Sequence, residues 1–345
     1  FVADFHALTT NYEDSRNIEQ YSFETVIDWL AAGVNPGSCT IFLQSKVPEH
    51  TELHLLLSMI TPLSWLERVP SYKDQQAKLN DKELGTYGFL GYPLLQAADI
   101  LIYKAGKVPV GADQVAHIEL TREIARRFNH IYGREEGFEE QAEAAIKLMG
   151  KKAAKLYRDL RRSFLEKGDS EALLKARALL EGQQNLSIGD KERLYGYLEG
   201  GGRIILTEPG PILTDVPKMP GLDGEKMSKS YDNVISLREE PSEIESKIRK
   251  MMTDPARVRL KDPGNPSNCP VYDLHRVYSP EDTKSWVRNG CTNASIGCID
   301  CKKPLIDSIN TEQQIMIERA QQFEEDPDLV HSIIQEGSEQ ARLVA

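Results

Sequence analysis

Apolar positions three and four residues apart dominate the chain, and short continuous apolar runs interrupt them. Phe23, Val26, Ile27 and Leu30 share one face and predict a helix over 21–32 that stops at Gly33. Residues 1–5 and 39–43 read as buried strands, with a second long helix over about 51–69. Strands that alternate with helices imply a parallel sheet covered on both faces, with ligands at the carboxyl ends of its strands. His6 and Gln44-Ser45 come at those ends. Pro93 can open a helix as its first residue, which sets Tyr92, Gln96, Asp99 and Tyr103 on one face among Leu94, Leu95, Ile100 and Leu101. A polar stripe on an apolar helix needs partners. It makes structural hydrogen bonds or faces solvent, or it forms a pocket wall whose carboxylate recognises a buried donor.

Residues 108–110 read as a strand and 115–128 as a helix, joined by Gly111-Ala112-Asp113-Gln114. A glycine turn between strand and helix lets a ligand approach the backbone. Asp113 can accept from a ribose hydroxyl or cap the helix, and Gln114 can bond a small polar group. Residues 139–181 read as a helical hairpin broken at Gly168-Asp169, with Arg158, Arg161 and Arg162 as a basic face. Residues 204–206 and 209–217 return to the first domain. The remainder, through 241–252, 303–323 and 329–344, is helical.

Composition narrows the function classes. The chain has 345 residues, 40% hydrophobic and 28% charged, ordinary values for a soluble protein. No apolar run reaches membrane-spanning length. The opening residues read as mid-strand, so the natural N-terminus is expected upstream. A net charge of −11 argues against a protein coated in nucleic acid, although Lys247, Arg249, Lys250, Arg257, Arg259 and Lys261 cluster, as do Lys302 and Lys303. Cys39 stands alone and reads as a small buried residue.

Two motifs carry chemistry. In Gly221-Leu222-Asp223-Gly224-Glu225-Lys226-Met227-Ser228-Lys229-Ser230, glycines and an aspartate predict a loop. Its two lysines, three apart, can bring point charges to a polyphosphate. An arbitrary lysine pair of this kind is usually a solvated loop. Cys269, Cys291, Cys298 and Cys301, with twenty-one, six and two residues between them, point to four-thiolate coordination of zinc or an iron–sulfur cluster.

The string Lys226-Met227-Ser228-Lys229-Ser230 matches the KMSKS signature of class I aminoacyl-tRNA synthetases. With Val2-Ala3-Asp4-Phe5-His6-Ala7, 92–99, 108–114 and 117–122, it makes the chain resemble bacterial tryptophanyl-tRNA synthetases over most of its length except about 133–202. The resemblance implies a Rossmann-like α/β catalytic domain at 1–132, a helical insertion at 133–203, a return at 204–232 and an all-α anticodon-binding domain at 233–345. It implies ATP-dependent activation of L-tryptophan with Mg²⁺, transfer to tRNA(Trp), a homodimer and a cytoplasmic location. By the same analogy Asp99 accepts the indole N–H, Gln114 and Tyr92 hold the α-amino group, and His6 and Gln96 line the pocket. Gly111, Ala112 and Asp113 hold ribose, the Met227 backbone lies near adenine, and Lys226 and Lys229, in a loop with Ser228 and Ser230, stabilise departing pyrophosphate. The four cysteines resemble those of a subset that carries a [4Fe–4S] cluster, with zinc as the alternative. The family's HIGH-like motif is expected upstream of this chain. Gln96 stands where many relatives carry methionine, and Ala112 where an acidic residue is common. A tyrosyl enzyme and a silent RNA-binding paralogue are the alternatives.

Overall fold

Parallel pairing, the expected mark of an α/β chain, occurs twice in the computed structural model, which describes residues 1–69, 86–213, 219–227 and 232–345. Val2 pairs with Leu43, and strand Lys107–Pro109 pairs with Gly210–Ile212 in the register Lys107↔Gly210, Val108↔Pro211, Pro109↔Ile212. Each pairing belongs to a separate unit: Phe1–Val47 with Leu213–Val344, and Pro48–Ile212.

In the first unit the expected strand at 1–5 reduces to Val2, because the helix Asp4–Asn11 begins at once. Asp4 Oδ1 accepts from Phe5 N at 3.1 Å and from Ser45 N at 3.0 Å, tying the helix start to the turn that follows Leu43. Cys39 is exposed, contrary to expectation: its N and its Sγ, at 3.1 and 3.2 Å, both meet Asn35 O in a surface turn. Helix Ile18–Ala31 buries Val26, Ile27 and Leu30 against Ile41, Ala320, Val330 and Ile334. The backbone at Ile41 is approached closely by helix Pro327–Val344, where a Cβ on Gly337 would lie 1.9 Å from Ile41 O. A second core joins Pro241–Lys250, Pro270–Tyr278, Glu281–Thr292 and Cys298–Glu325 through Ile244, Ile248, Val271, Leu274, Val287 and Leu305. This part is helical, as the pattern predicts.

In the second unit the long helix expected over 51–69 is divided. Glu49–Ser58 and Leu63–Leu66 are separated at Pro62, whose extended backbone starts the second piece. Helix Tyr87–Leu101 begins earlier than expected. Thr86 caps it by accepting from Phe89 N at 3.2 Å, and Pro93 is accommodated inside it, fully surrounded by core. Leu94, Ala97 and Leu101 pack on Leu57, Leu66, Ile124 and Leu206.

The stretch read as a hairpin, 139–181, holds three helices, Phe138–Leu148, Lys151–Lys167 and Ser170–Glu181, and a fourth, Ile188–Leu198, follows. They enclose their own core of Ala142, Ile146, Tyr157, Leu180, Leu194 and Leu198. Its two ends meet: Arg203 N donates to Gly133 O at 2.8 Å. A Cβ on Gly196 would sit 1.5 Å from Gly202 O, and one on Gly202 would sit 2.5 Å from Gly133 O, so only glycine permits this backbone contact.

Candidate functional site

The polar face of helix Tyr87–Leu101 and of the residue just beyond it resolves into two hydrogen-bonded networks. The first centres on Asp99, 4% exposed. Its Oδ1 lies 2.6 Å from Nδ1 of His50, which comes from helix Glu49–Ser58 and is completely buried. The other imidazole nitrogen, Nε2, lies 2.7 Å from the Tyr103 hydroxyl. Burial first, then the Asp99 and Glu49 carboxylates, pushes the Tyr103 phenol up, so it keeps its proton. The carboxylate only accepts, so Nδ1–H of His50 donates to Asp99 and Nε2 accepts from Tyr103.

The second network joins Tyr92, His117, Gln114 and Gln96. His117, 1% exposed, stands on helix Val115–Tyr132. Its Nδ1 donates to Gln114 Oε1 at 2.7 Å, which leaves Nε2 to accept from the Tyr92 hydroxyl at 3.1 Å. Gln96 Nε2 reaches the same Gln114 oxygen at 3.4 Å. Asp113 does not cap a helix; its Oδ2 accepts from Gln114 Nε2 at 2.9 Å within the tight turn Ala112–Gln114 that follows Gly111. Four of the predicted residues (Tyr92, Gln96, Asp113 and Gln114) therefore meet. His50 escaped the sequence reading. Its only signal was a histidine in the first turn of an apolar helix.

His6 and Lys226 belong to the other unit. His6 lies within helix Asp4–Asn11, where its carbonyl accepts from Thr9 Oγ1 at 2.7 Å. The stem of the lysine loop is fastened: Lys226 bridges to Pro220, Met227 N donates to Met219 O at 2.9 Å, and Asn233 Nδ2 donates to Asp223 Oδ1 at 2.8 Å and Lys226 O at 3.2 Å. The Asn233 bond holds the Asp223 carboxyl below its usual range. Ser228, Lys229 and Ser230 lie outside the described residues.

Cys269, Cys291, Cys298 and Cys301 line one small pocket with Thr253, Asp254, Arg257 and Val271. Cys298 and Cys301 occupy the first turn of helix Cys298–Glu325, and Cys269 precedes helix Pro270–Tyr278. Burial pushes the Cys269 and Cys291 thiols up, and Cys301 up to about 12, with the neighbouring cysteines adding to the Cys301 shift. Arg257 Nη1 stands 3.8 Å from Cys291 Sγ, while its Nη2 donates to Ile296 O at 2.6 Å. Among the described residues no three His, Cys, Asp or Glu side chains are spaced to hold a single metal ion.

The basic cluster is partly internal. Lys302, read with Lys303 as part of a basic cluster, is buried and donates to Arg249 O at 2.9 Å and Met251 O at 2.7 Å. Cations suit the unsatisfied carbonyls at a helix C-terminus, here that of Pro241–Lys250. Lys247 pairs with Glu239, and Arg249 with Glu245 at 2.7 Å.

The family of class I tRNA synthetases for tryptophan and tyrosine (W and Y) matches residues 1–155 and 191–312. The tryptophan–tRNA ligase of Ralstonia nicotianae is 61% identical over 344 residues, covering 100% of this chain and 86% of that protein. The tryptophan–tRNA ligase of Thermotoga maritima is 44% identical over 346 residues, covering 100% of this chain and 84% of that protein. Among solved structures, the tryptophanyl-tRNA synthetase of Campylobacter jejuni complexed with ADP and tryptophan is similar with a TM-score of 0.67 and 25% identity, covering 100% of this chain and 84% of that one.

Proposed function

The chain belongs to the class I tRNA synthetases of the tryptophan and tyrosine type, with their Rossmann-like α/β fold, and from that premise we propose how its residues serve a tryptophan–tRNA ligase. The observation that carries the activity is the 61% identity to the Ralstonia ligase across the whole chain. The tryptophan carboxylate attacks the α-phosphate of ATP, the bond to pyrophosphate breaks, and the tryptophanyl group of the adenylate then passes to tRNA(Trp), releasing AMP. Mg²⁺ accompanies ATP and neutralises phosphate charge.

Asp99 is assigned the indole N–H. A buried carboxylate selects a substrate that donates and rejects one that cannot, by a margin that shape alone does not give. Its support is burial within a network that fixes the carboxylate. Tyr92 and Gln114, bridged by His117, are assigned the α-amino group, with Gln96 and His6 along the pocket. Gly111, Ala112 and Asp113 are assigned the ribose of ATP. Lys226 and Lys229 are assigned the pyrophosphate, with Met227, Ser228 and Ser230 completing the loop. We further read the chain as a cytoplasmic homodimer with the domain boundaries the sequence suggests; among the described residues no helix is long and apolar enough to cross a membrane.

For the cysteine pocket we propose a [4Fe–4S] cluster. The fit rests on the donor set and its spacing. Four thiols line one pocket. A cluster takes one thiolate per iron, so its ligands stand around it instead of converging on a point. Bound there, it would supply charge that keeps the four sulfurs deprotonated. Arg257 and Lys302 are the cations beside it.

The decisive experiment is amino-acid-dependent pyrophosphate exchange into ATP on the full-length protein, with tryptophan and tyrosine side by side. Exchange with tryptophan alone is expected. Exchange with tyrosine would overturn the pocket assignment, and none with either would overturn the activity.

A further inference from the structure

The imidazole of His50 bridges Asp99, in the last turn of the helix that carries the proposed substrate carboxylate, and Tyr103, two residues past the end of that helix. Asp99 and Tyr103 are four apart, one turn of an α-helix, and the two nitrogens of one ring reach them at 2.6 and 2.7 Å. The ring comes from a different helix, Glu49–Ser58, so the bridge also sets the register between the two helices. His50 is completely buried, and its ring centroid lies 5.3 Å from that of Tyr103, which leaves little room for another rotamer.

We propose that His50 is a positioning residue for tryptophan selection, holding the Asp99 carboxylate in the one orientation that receives the indole N–H, with Tyr103 holding His50 in turn. This rests on the reading of Asp99 as the indole acceptor. A carboxylate joined to a helix through two rotatable bonds turns about both, and a single hydrogen bond to Oδ1 fixes the plane in which its lone pairs point. The Tyr103 hydroxyl sets the tautomer. Its proton occupies Nε2, so the imidazole proton resides on Nδ1, facing Asp99. The same logic governs histidines that are oriented through their second nitrogen in metal and catalytic sites. Without the bridge, the bond that fixes Asp99 Oδ1 against His50 is lost, and the carboxylate can turn away from the substrate.

A merely structural role would reduce all substrates together. A positioning role reduces only substrates that donate to Asp99. The test is pyrophosphate exchange with tryptophan and with its benzothiophene analogue, in which sulfur replaces the indole N–H, on the full-length protein. Three variants are compared with the parent: His50→Leu, His50→Asn and Asp99→Asn. His50→Leu is expected to lower the tryptophan-to-analogue ratio of kcat/KM by about ten- to a hundred-fold, mostly through tryptophan KM. His50→Asn places an amide donor near the Nδ1 position and is expected to recover most of the ratio. A ratio that stays unchanged in His50→Leu, with both substrates falling equally, overturns the proposal. If His50→Leu does not fold, His50→Asn is compared with His50→Gln, whose amide reaches the Nε2 position instead: a ratio kept by Asn and lost by Gln supports the proposal, and equal ratios overturn it. Asp99→Asn separates the two levels. If it leaves the ratio intact, the indole reading itself fails.

Discussion

The Asp99 network and the cysteine pocket are both clusters of reactive side chains, the first buried and the second partly so, and their polar atoms are met in different ways. Around Asp99 the chain answers its own polar groups: carboxylate to imidazole, imidazole to phenol, and, alongside, amide to imidazole to phenol. Around Cys301 four thiols line one pocket, and burial pushes the ionisation of Cys269, Cys291 and Cys301 up. A buried polar network that is internally complete is rigid before any ligand arrives. The Cys301 and Cys291 thiols meet long contacts, Cys301 Sγ with His275 Nε2 at 3.5 Å and Cys291 Sγ with Arg257 Nη1 at 3.8 Å, and a cationic metal centre would reverse the penalty of burial because a coordinating thiol is deprotonated outright. On the reading proposed above, the first site serves selection and the second holds a cluster around which its unit folds. Altering the first should change which substrate is used; altering the second should change whether the unit stays folded.

The sharpest test of that contrast is Asp99→Ala. Tryptophan-dependent exchange should fall by about ten thousand-fold, while ATP binding by calorimetry persists. Near-normal tryptophan turnover would refute the pocket assignment. Next in size, Cys301→Ser should strip iron from anaerobically purified protein and lower stability by about 3 kcal/mol or more, seen as a lower melting temperature. Protein that never contained iron, with an unchanged melt, would remove the cluster from the comparison altogether. Gly264→Ala sharpens the same half. Its new Cβ would stand 2.5 Å from Cys291 Sγ, so the sulfur must shift, at a cost of about 1–3 kcal/mol and some iron occupancy. The smallest change is Tyr103→Phe. It removes the donor to His50 Nε2 and should cost about 1 kcal/mol, close to five-fold in tryptophan kcat/KM, with the benzothiophene analogue unaffected. Equal losses for both substrates would make the phenol a packing residue only.

The sequence revealed these two regions unequally. Helical spacing exposed the face of Tyr92, Gln96, Asp99 and Tyr103, because residues three and four apart share a face whatever surrounds them. It could not expose His50, which lies 49 positions from Asp99 in the chain. Nothing local distinguishes a bridging histidine from an ordinary one. The cysteines were legible as a set because their type is rare and their spacing tight. Lys302 was misread for the opposite reason: lysine beside lysine suggests solvent, but the open carbonyls at Arg249 and Met251 draw one of the two inward. Cys39 was misread because the Asn35 turn, not its own chemistry, sets its exposure. Helix boundaries failed at prolines. Pro62 divides a helix, whereas Pro93 is absorbed by one, and only the packing around each decides which.

The meeting of Gly133, Gly196 and Gly202 has a bearing on how such a chain came to be assembled. A segment of seventy residues that leaves and rejoins its host across one hydrogen bond is a cassette. Because it carries its own core and its ends touch, gaining or losing it requires no rearrangement of the host helices on either side. The family match passes over 156–190, the interior of this segment, and resumes at 191, just ahead of the glycine contact. The three glycines thus lie within the family match and close the base of a segment whose interior alone departs from it. A protein engineer seeking a place to splice foreign sequence into this enzyme would find the cut already marked.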